Sequence, residues 1–416
     1  MSAQRLGAAV AHSIISVFKD RLDSTPSPDE VRSVEQEIRR RFSQNAVPCT
    51  HYIPCLIIPD HASSFEVGPV KFYSARDFIT RENISEANPL QTLAYGPLLQ
   101  FMQAQSAHWI AEVTVEGFDE PAGLERANIA VDLALVAIQV AIPVTYSRDV
   151  ARLTGRTMPT SIGSVTKVNG HPRFGSLRRD PGLGFSAGAF DQFISKAGSV
   201  LASIGNRLRA YLTDEGSLSK LDQSWSDAAY WFHEGVAESI DTIAITKFET
   251  TIEVLLSAES TKRSSNRLQQ AFSAFYGLSP ESPYPPGSSQ TVKDFVKAIV
   301  DSRSRILHDT LSTLTADSQH GGRKLIELLS MDLLMSFSFR LDQYAAESGA
   351  KDNITAFLQF VSGMQETGKS FNHSAGSSVN GRSAAARLTR RPSRVVSVTN
   401  CRPMANATRV ACPASP

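Results

Sequence analysis

TVKDFVKAIVDSRSRILHD, residues 291 to 309, decides how the second half of the chain is read. Val292, Phe295, Val296, Ile299, Val300, Ile306 and Leu307 recur at helical spacing and predict a helix with one apolar face. At about 100° per residue, Arg303 falls about 20° from Val292, near the centre of that face, while Arg305 falls on the opposite, solvated side. A guanidinium on an apolar stripe is costly unless a counter-charge or a wet cleft receives it. The sequence offers both solutions. Glu249 or Glu253 can pair with Arg303 inside a helical bundle, or the stripe can open onto a cleft. His308 lies where LSTLTADSQHGG ends the helical pattern, so the helix is expected to stop or bend there.

Around this helix the pattern is wholly helical. AFDQFISKAGSVLASIGNRLRAYL, WSDAAYWFHEGVAES, DTIAITKFETTIEVLLSA and SSNRLQQAFSAFYGL precede it, and RKLIELLSMDLLMSFSFRLDQYAAES is read as a long final helix. Residues 190–365 are therefore expected to form an all-α bundle of five or six helices. Upstream, THYIPCLIIP, SSFEVGPVKFYS and HWIAEVTVEGF are rich in β-branched and aromatic residues and bounded by Pro, Gly and Asp, as strands are. ERANIAVDLALVAIQVAI reads as an apolar helix packed on that sheet, and VTYSRDVARLTG and TSIGSVTKVNGHPRF as further strands. With a helical beginning, clearest in VRSVEQEIRRRFSQ, residues 1–189 are expected to be an α+β domain. The Gly- and Pro-rich GSLRRDPGLGFSAG separates the two parts, and residues 366–416 lack the periodicity of a core and read as a disordered basic tail.

The formal net charge of +1 is unevenly placed. From Lys369 onward there are eight basic residues and no acidic ones, which leaves 34 basic and 41 acidic groups, a formal −7, before it. An acidic body argues against a broad nucleic-acid-coating surface but permits a small RNA site. No apolar run approaches the roughly 18 residues that span a bilayer, so no membrane partner is expected. Of four cysteines, Cys401 and Cys412 lie in the tail, so a disulfide framework is not expected and a cytoplasmic setting is.

Several motifs carry less than they suggest. GFSAG around Ser186 matches a nucleophile elbow, and Gly182-x-Gly184-x-x-Ala187 a dinucleotide fingerprint, but both need a hydrophobic strand directly upstream, and SLRRDPGL is not one. Both are read as linker. Cys49, His51, Cys55 and His61 lie close together without a second ligand pair at zinc spacing, so no metal or cofactor is expected.

RSRILHD resembles the Arg-Ser-x-hydrophobic-hydrophobic-His-Gly signature of Apea-like members of the HEPN superfamily, helical domains marked by an Arg, four to six residues, and a His. Ser304 fits the polar second position, and Asp309 stands where the family has Gly. Glu253, followed by Val254, Leu255 and Leu256, takes the place of the family's Glu before a Leu pair. The resemblance covers about residues 220 to 345, and FEVGPVKFYS is similar to the region preceding such domains. It implies a metal-independent endoribonuclease in which the RNA's own 2′-OH attacks and a cyclic phosphate is left. Arg303 and His308 would be the catalytic pair, with Ser304, Glu253 and Asp309 in support. It further implies a homodimer that brings two motifs into one cleft, and a place in toxin–antitoxin or antiphage defence with an antitoxin or defence partner. The alternative within the same fold is a non-catalytic module that binds nucleotides or RNA, or a protein-interaction sensor.

Overall fold

The computed structural model describes residues 27–29, 31–32, 35–36, 48–85, 87–118, 120–142, 148–153, 161–178, 182–213, 216–258, 261–285, 287–307 and 320–366. Most of VRSVEQEIRRRFSQ and the tail from 367 onward lie outside these residues.

The first part is built on an antiparallel sheet. Strands β1 (Cys49–Leu56), β2 (Phe65–Val67), β3 (Val70–Ser74), β4 (Trp109–Val115) and the two-residue β5 (Ala151–Arg152) are ordered β2-β3-β4-β1-β5. The register of β1 on β4 sets Cys49 opposite Val115 and Cys55 opposite Trp109. β4 is central, and six of its seven residues are buried, because both of its faces are covered. Trp109, Ala111, Val113 and Val115 alternate toward one face, and Ile110 toward the other.

Helices α1 (Ala75–Arg81) and α2 (Pro89–Ala104) cover the Ile110 face through Phe78 and Met102. The hydroxyl of Ser74 accepts from the Asp77 amide at the start of α1, and the Asn88 side chain accepts from Leu90 and Gln91 ahead of Pro89 in α2. Neither helix stands out in the sequence. α2 contains Pro97 and leaves Leu90 and Leu93 exposed, which blurs its periodicity. The opposite face of the sheet packs on α3 (Glu120–Ala141), the apolar helix expected there, whose residues from Ala130 to Val140 are all buried.

From residue 187 onward the named elements among the described residues are seven helices, more than the five or six expected: α4 (Ala187–Thr213), α5 (Ser219–Ala237), α6 (Asp241–Leu255), α7 (Thr261–Tyr276), α8 (Val292–Leu307), α9 (His320–Ala345) and α10 (Ile354–Glu366). α10 corrects the reading of the preceding helix as the final one. After the break at Gly349, Ile354, Phe357, Leu358 and Val361 form a second buried stripe that packs on α7. The Asp352 carboxylate in that break accepts from the Lys220 and Leu221 amides at 2.8 and 3.0 Å, which ties the segment leading into α10 to the start of α5.

One hydrophobic cluster runs from the sheet through α3 into α4–α10. The segment between the two parts is packed into it. Leu183 is fully buried and its amide donates to the Ile57 carbonyl, and a Cβ at Gly182 would lie 2.4 Å from that oxygen. Farther along, α4 meets the β2–β3 turn so closely that a Cβ at Gly205 would lie 2.6 Å from the Gly68 amide. Gly68 has a φ of +58°, so both positions exclude a side chain.

Candidate functional site

α6, α7 and α8 border a small, partly open cavity of about 20 Å³, room for one or two waters. α6 contributes Glu249, Ile252, Glu253 and Leu256, which recur at three- and four-residue spacing and so share one face. α7 contributes Ser264 and Leu268, and α8 contributes Ile299 and Val300. The lining is apolar except for two carboxylates and a hydroxyl, and it carries no cation among the described side chains. Glu249 is only 3% exposed. Glu253 is half-buried and accepts a 2.7 Å hydrogen bond from the Ser264 hydroxyl. Ser264, the group that orients Glu253, was not singled out by the sequence, which has no local signal for a contact between helices.

The stripe that predicted α8 is present and grades along the helix. Val292, Phe295 and Val296 are buried, whereas Ile299 and Val300 are half-buried where they meet the cavity. Arg303 lies on α8 four residues beyond Ile299 and three beyond Val300, on the same helical face. The backbone alone is described for Arg303, Ser304 and Arg305, and His308 and Asp309 lie outside the described residues. Of the expected site residues, the structure therefore sets Glu253 in the α6 wall of the cavity and the Arg303 backbone on α8, one turn beyond Ile299 and Val300.

A second group of titratable side chains sits at the junction of sheet and bundle. Arg152 of β5 makes a bidentate pair with Asp132 of α3, Nε to Oδ1 at 3.0 Å and Nη2 to Oδ2 at 2.9 Å. His233 of α5 places Nε2 3.6 Å from the same carboxylate and Nδ1 3.1 Å from Gln139 Oε1. Gln139 donates its own amide to the Val150 carbonyl, so its oxygen accepts, and Nδ1 is the protonated nitrogen of neutral His233. Burial lowers the His233 pKa from its ordinary 6.5, against the Asp132 and Glu234 carboxylates, and Arg152 adds to the lowering. Nearby, Glu327 of α9 is fully buried between Arg148 and Arg323, and burial raises its carboxyl above the usual range. These groups neutralise one another inside the protein.

The remaining motifs take structural places. Ser186 is exposed just before α4; the strand upstream takes in Ser176 to Arg178 but ends there, and Gly182 to Phe185 are in no strand. Cys55 is fully buried in the sheet core, and burial pushes its thiol up. Among the described residues no three His, Cys, Asp or Glu side chains converge as a metal site, and no helix is long and apolar enough to cross a membrane. Comparison with protein-family models, curated proteins and solved structures returns no match.

Proposed function

We propose that the chain is a metal-independent endoribonuclease of HEPN type, with Arg303 and His308 as its catalytic pair. The observation that carries this reading is the position of Arg303: its helical face leaves the buried core and runs along a cavity walled by Glu249, Glu253 and Ser264. In the proposed reaction one His imidazole takes the proton of the RNA 2′-OH. The 2′ oxygen bonds to phosphorus, the bond from phosphorus to the 5′ oxygen breaks, and that oxygen receives a proton from a second acid. An imidazole with a pKa near 6.5 suits both proton transfers near neutral pH. Arg303, charged at any working pH, stabilises the negative charge that grows on the phosphoryl oxygens. A homodimer supplies the second His from the partner's motif, and the products are a 2′,3′-cyclic phosphate and a 5′-hydroxyl. A cytoplasmic role in defence, with an antitoxin or trigger as partner, belongs to the same proposal.

One observation favours a second reading. The Glu249 carboxylate is buried in the cavity wall, and a buried anion calls for a cation. Arg303 can serve Glu249 alone, and the helical part is then a non-catalytic module that binds nucleotides, RNA or a protein. Incubating the purified protein with mixed RNA in EDTA separates the two. Fragments ending in cyclic phosphate, absent with His308→Ala, are expected. Activity that needs added magnesium, or that survives His308→Ala, would overturn the nuclease reading.

A further inference from the structure

Strands β6 (Ser161–Val168) and β7 (His171–Arg178) form a two-stranded antiparallel ribbon that joins neither edge of the main sheet. Asn169 and Gly170 make its turn with φ of +53° and +82°, the pairing that suits the twist of a tight hairpin. Every side chain described in it, from Ser164 to Gly175, is exposed on whichever face it lies. Phe174 is 75% exposed and sits directly across from Val165, itself 65% exposed. A hairpin with no covered face is marginal in water, and a large aromatic left open at its centre invites a partner.

The charge of the ribbon says which kind. Residues 161–178 contain Lys167, Arg173 and Arg178 and no Asp or Glu, in a body that is acidic up to residue 368. Lys167 is two residues from Val165 and so shares the Phe174 face, while Arg173 and His171 lie on the other face. The ribbon is only two strands wide, roughly 5 Å between strands, so cations from both faces border the aromatic pair. A π-face flanked by cations matches a flexible polyanion carrying stackable bases. The deep, narrow major groove of A-form RNA does not admit a ribbon, which favours single strands over duplex.

We infer that the β6–β7 ribbon is an arm that grips single-stranded RNA, with one base stacked on Phe174 and adjacent phosphates held by Lys167 and Arg173. The choice of RNA over other polyanions rests on the proposed nuclease reading, but binding is measured apart from cleavage. The probe is a fluorescent 2′-O-methyl oligouridylate, which lacks the attacking hydroxyl, titrated with the full chain in EDTA and followed by anisotropy. Phe174→Ala should weaken binding by roughly 5- to 150-fold, the loss of one stacked base, and Phe174→Trp should retain it. Lys167→Ser with Arg173→Ser should flatten the salt dependence of binding by about 1.4 in log–log slope. All four substitutions fall on open surface, so unchanged unfolding midpoints are expected. Unaltered affinity in Phe174→Ala, or no binding by the wild type, would overturn the inference. So would variants that keep RNA binding and instead lose adhesion to phosphatidylserine vesicles or self-association on a sizing column. Cleavage of ordinary RNA by a protein whose ribbon variants bind normally would remove the arm and leave the nuclease. Arm-dependent binding without cleavage by the wild type would do the reverse.

Discussion

Replacing Arg303 by Ala, Glu249 by Gln, and both together distinguishes a guanidinium that acts on RNA from one that only satisfies a buried anion. Glu249 is 3% exposed in the α6 wall, across from Ile299 and Val300, and Arg303 is the next turn of α8 on that face. If Arg303 is the cation that serves this carboxylate, removing it costs about 3–5 kcal/mol. With an unfolding entropy of about 2 cal/mol/K per residue, a chain of this size would lose roughly 4–6 °C in Tm. Glu249→Gln keeps the shape of the side chain and removes the charge, so the double variant should return to within about 1 kcal/mol of wild type. Cleavage should respond differently. Loss of one charge-stabilising group lowers the rate about 10²–10³-fold, and restoring the fold does not replace it. The assays are thermal unfolding and single-turnover cleavage on all four proteins. Recovery of cleavage in the double variant would show that Arg303 serves only the fold. An unchanged midpoint in Arg303→Ala would refute the pairing with Glu249.

Arg305 lies on the opposite side of α8 from Arg303, so Arg305→Ala should leave cleavage within a few-fold of wild type in the same assay, whereas loss of the His308 imidazole should cost about 10²–10⁴. At the junction, Arg152→Met strands Asp132, which is 4% exposed, and should destabilise the protein by about 3–5 kcal/mol in denaturant titration, with most of the loss recovered by adding Asp132→Asn. Gly205→Ala should destabilise by about 1–3 kcal/mol, because its new methyl would meet the Gly68 backbone rather than a movable side chain. His233 has a folded pKa below its ordinary 6.5, so below that pH the unfolded chain takes up a proton the folded chain refuses. Stability contributed above about pH 6.5 should therefore fall as pH drops toward the folded value, and His233→Gln should flatten that difference between pH 7 and pH 5.5.

What the sequence made legible was whatever local periodicity encodes. The α8 stripe from Val292 to Val300, the apolar α3 and the alternating strands around Ile53 and Val113 all follow from spacing within one element. TSIGSVTKVNGHPRF reads as strand for the same reason, and the structure divides it into two strands at Asn169-Gly170, a turn the strand reading did not single out. The buried ion pairs were not legible. Asp132 finds Arg152 20 residues away, and Arg148 finds Glu327 179 residues away, and no spacing rule reaches across folded elements. At the candidate site, Arg303 announced itself by breaking a stripe, and Glu253 by the family resemblance. The cavity beside Glu253 and its contact with the Ser264 hydroxyl exist only through the packing of three helices.

The ribbon and α3 together bear on what a protease would do to this protein. β6–β7 is an exposed hairpin with Lys167 and Arg173 on its surface, where trypsin can cut once the two strands part. The sequence on either side of such a cut remains bound through α3, which is clad by the sheet on one side and by α4, α5 and α9 on the other. A nicked molecule would thus run as two bands under denaturing conditions and as one particle under native ones. The same embrace means that a fragment begun at residue 190 would lack the Phe65 and Trp109 rings against which Phe190 packs, whereas two complementary fragments divided within the ribbon carry, between them, a whole interior.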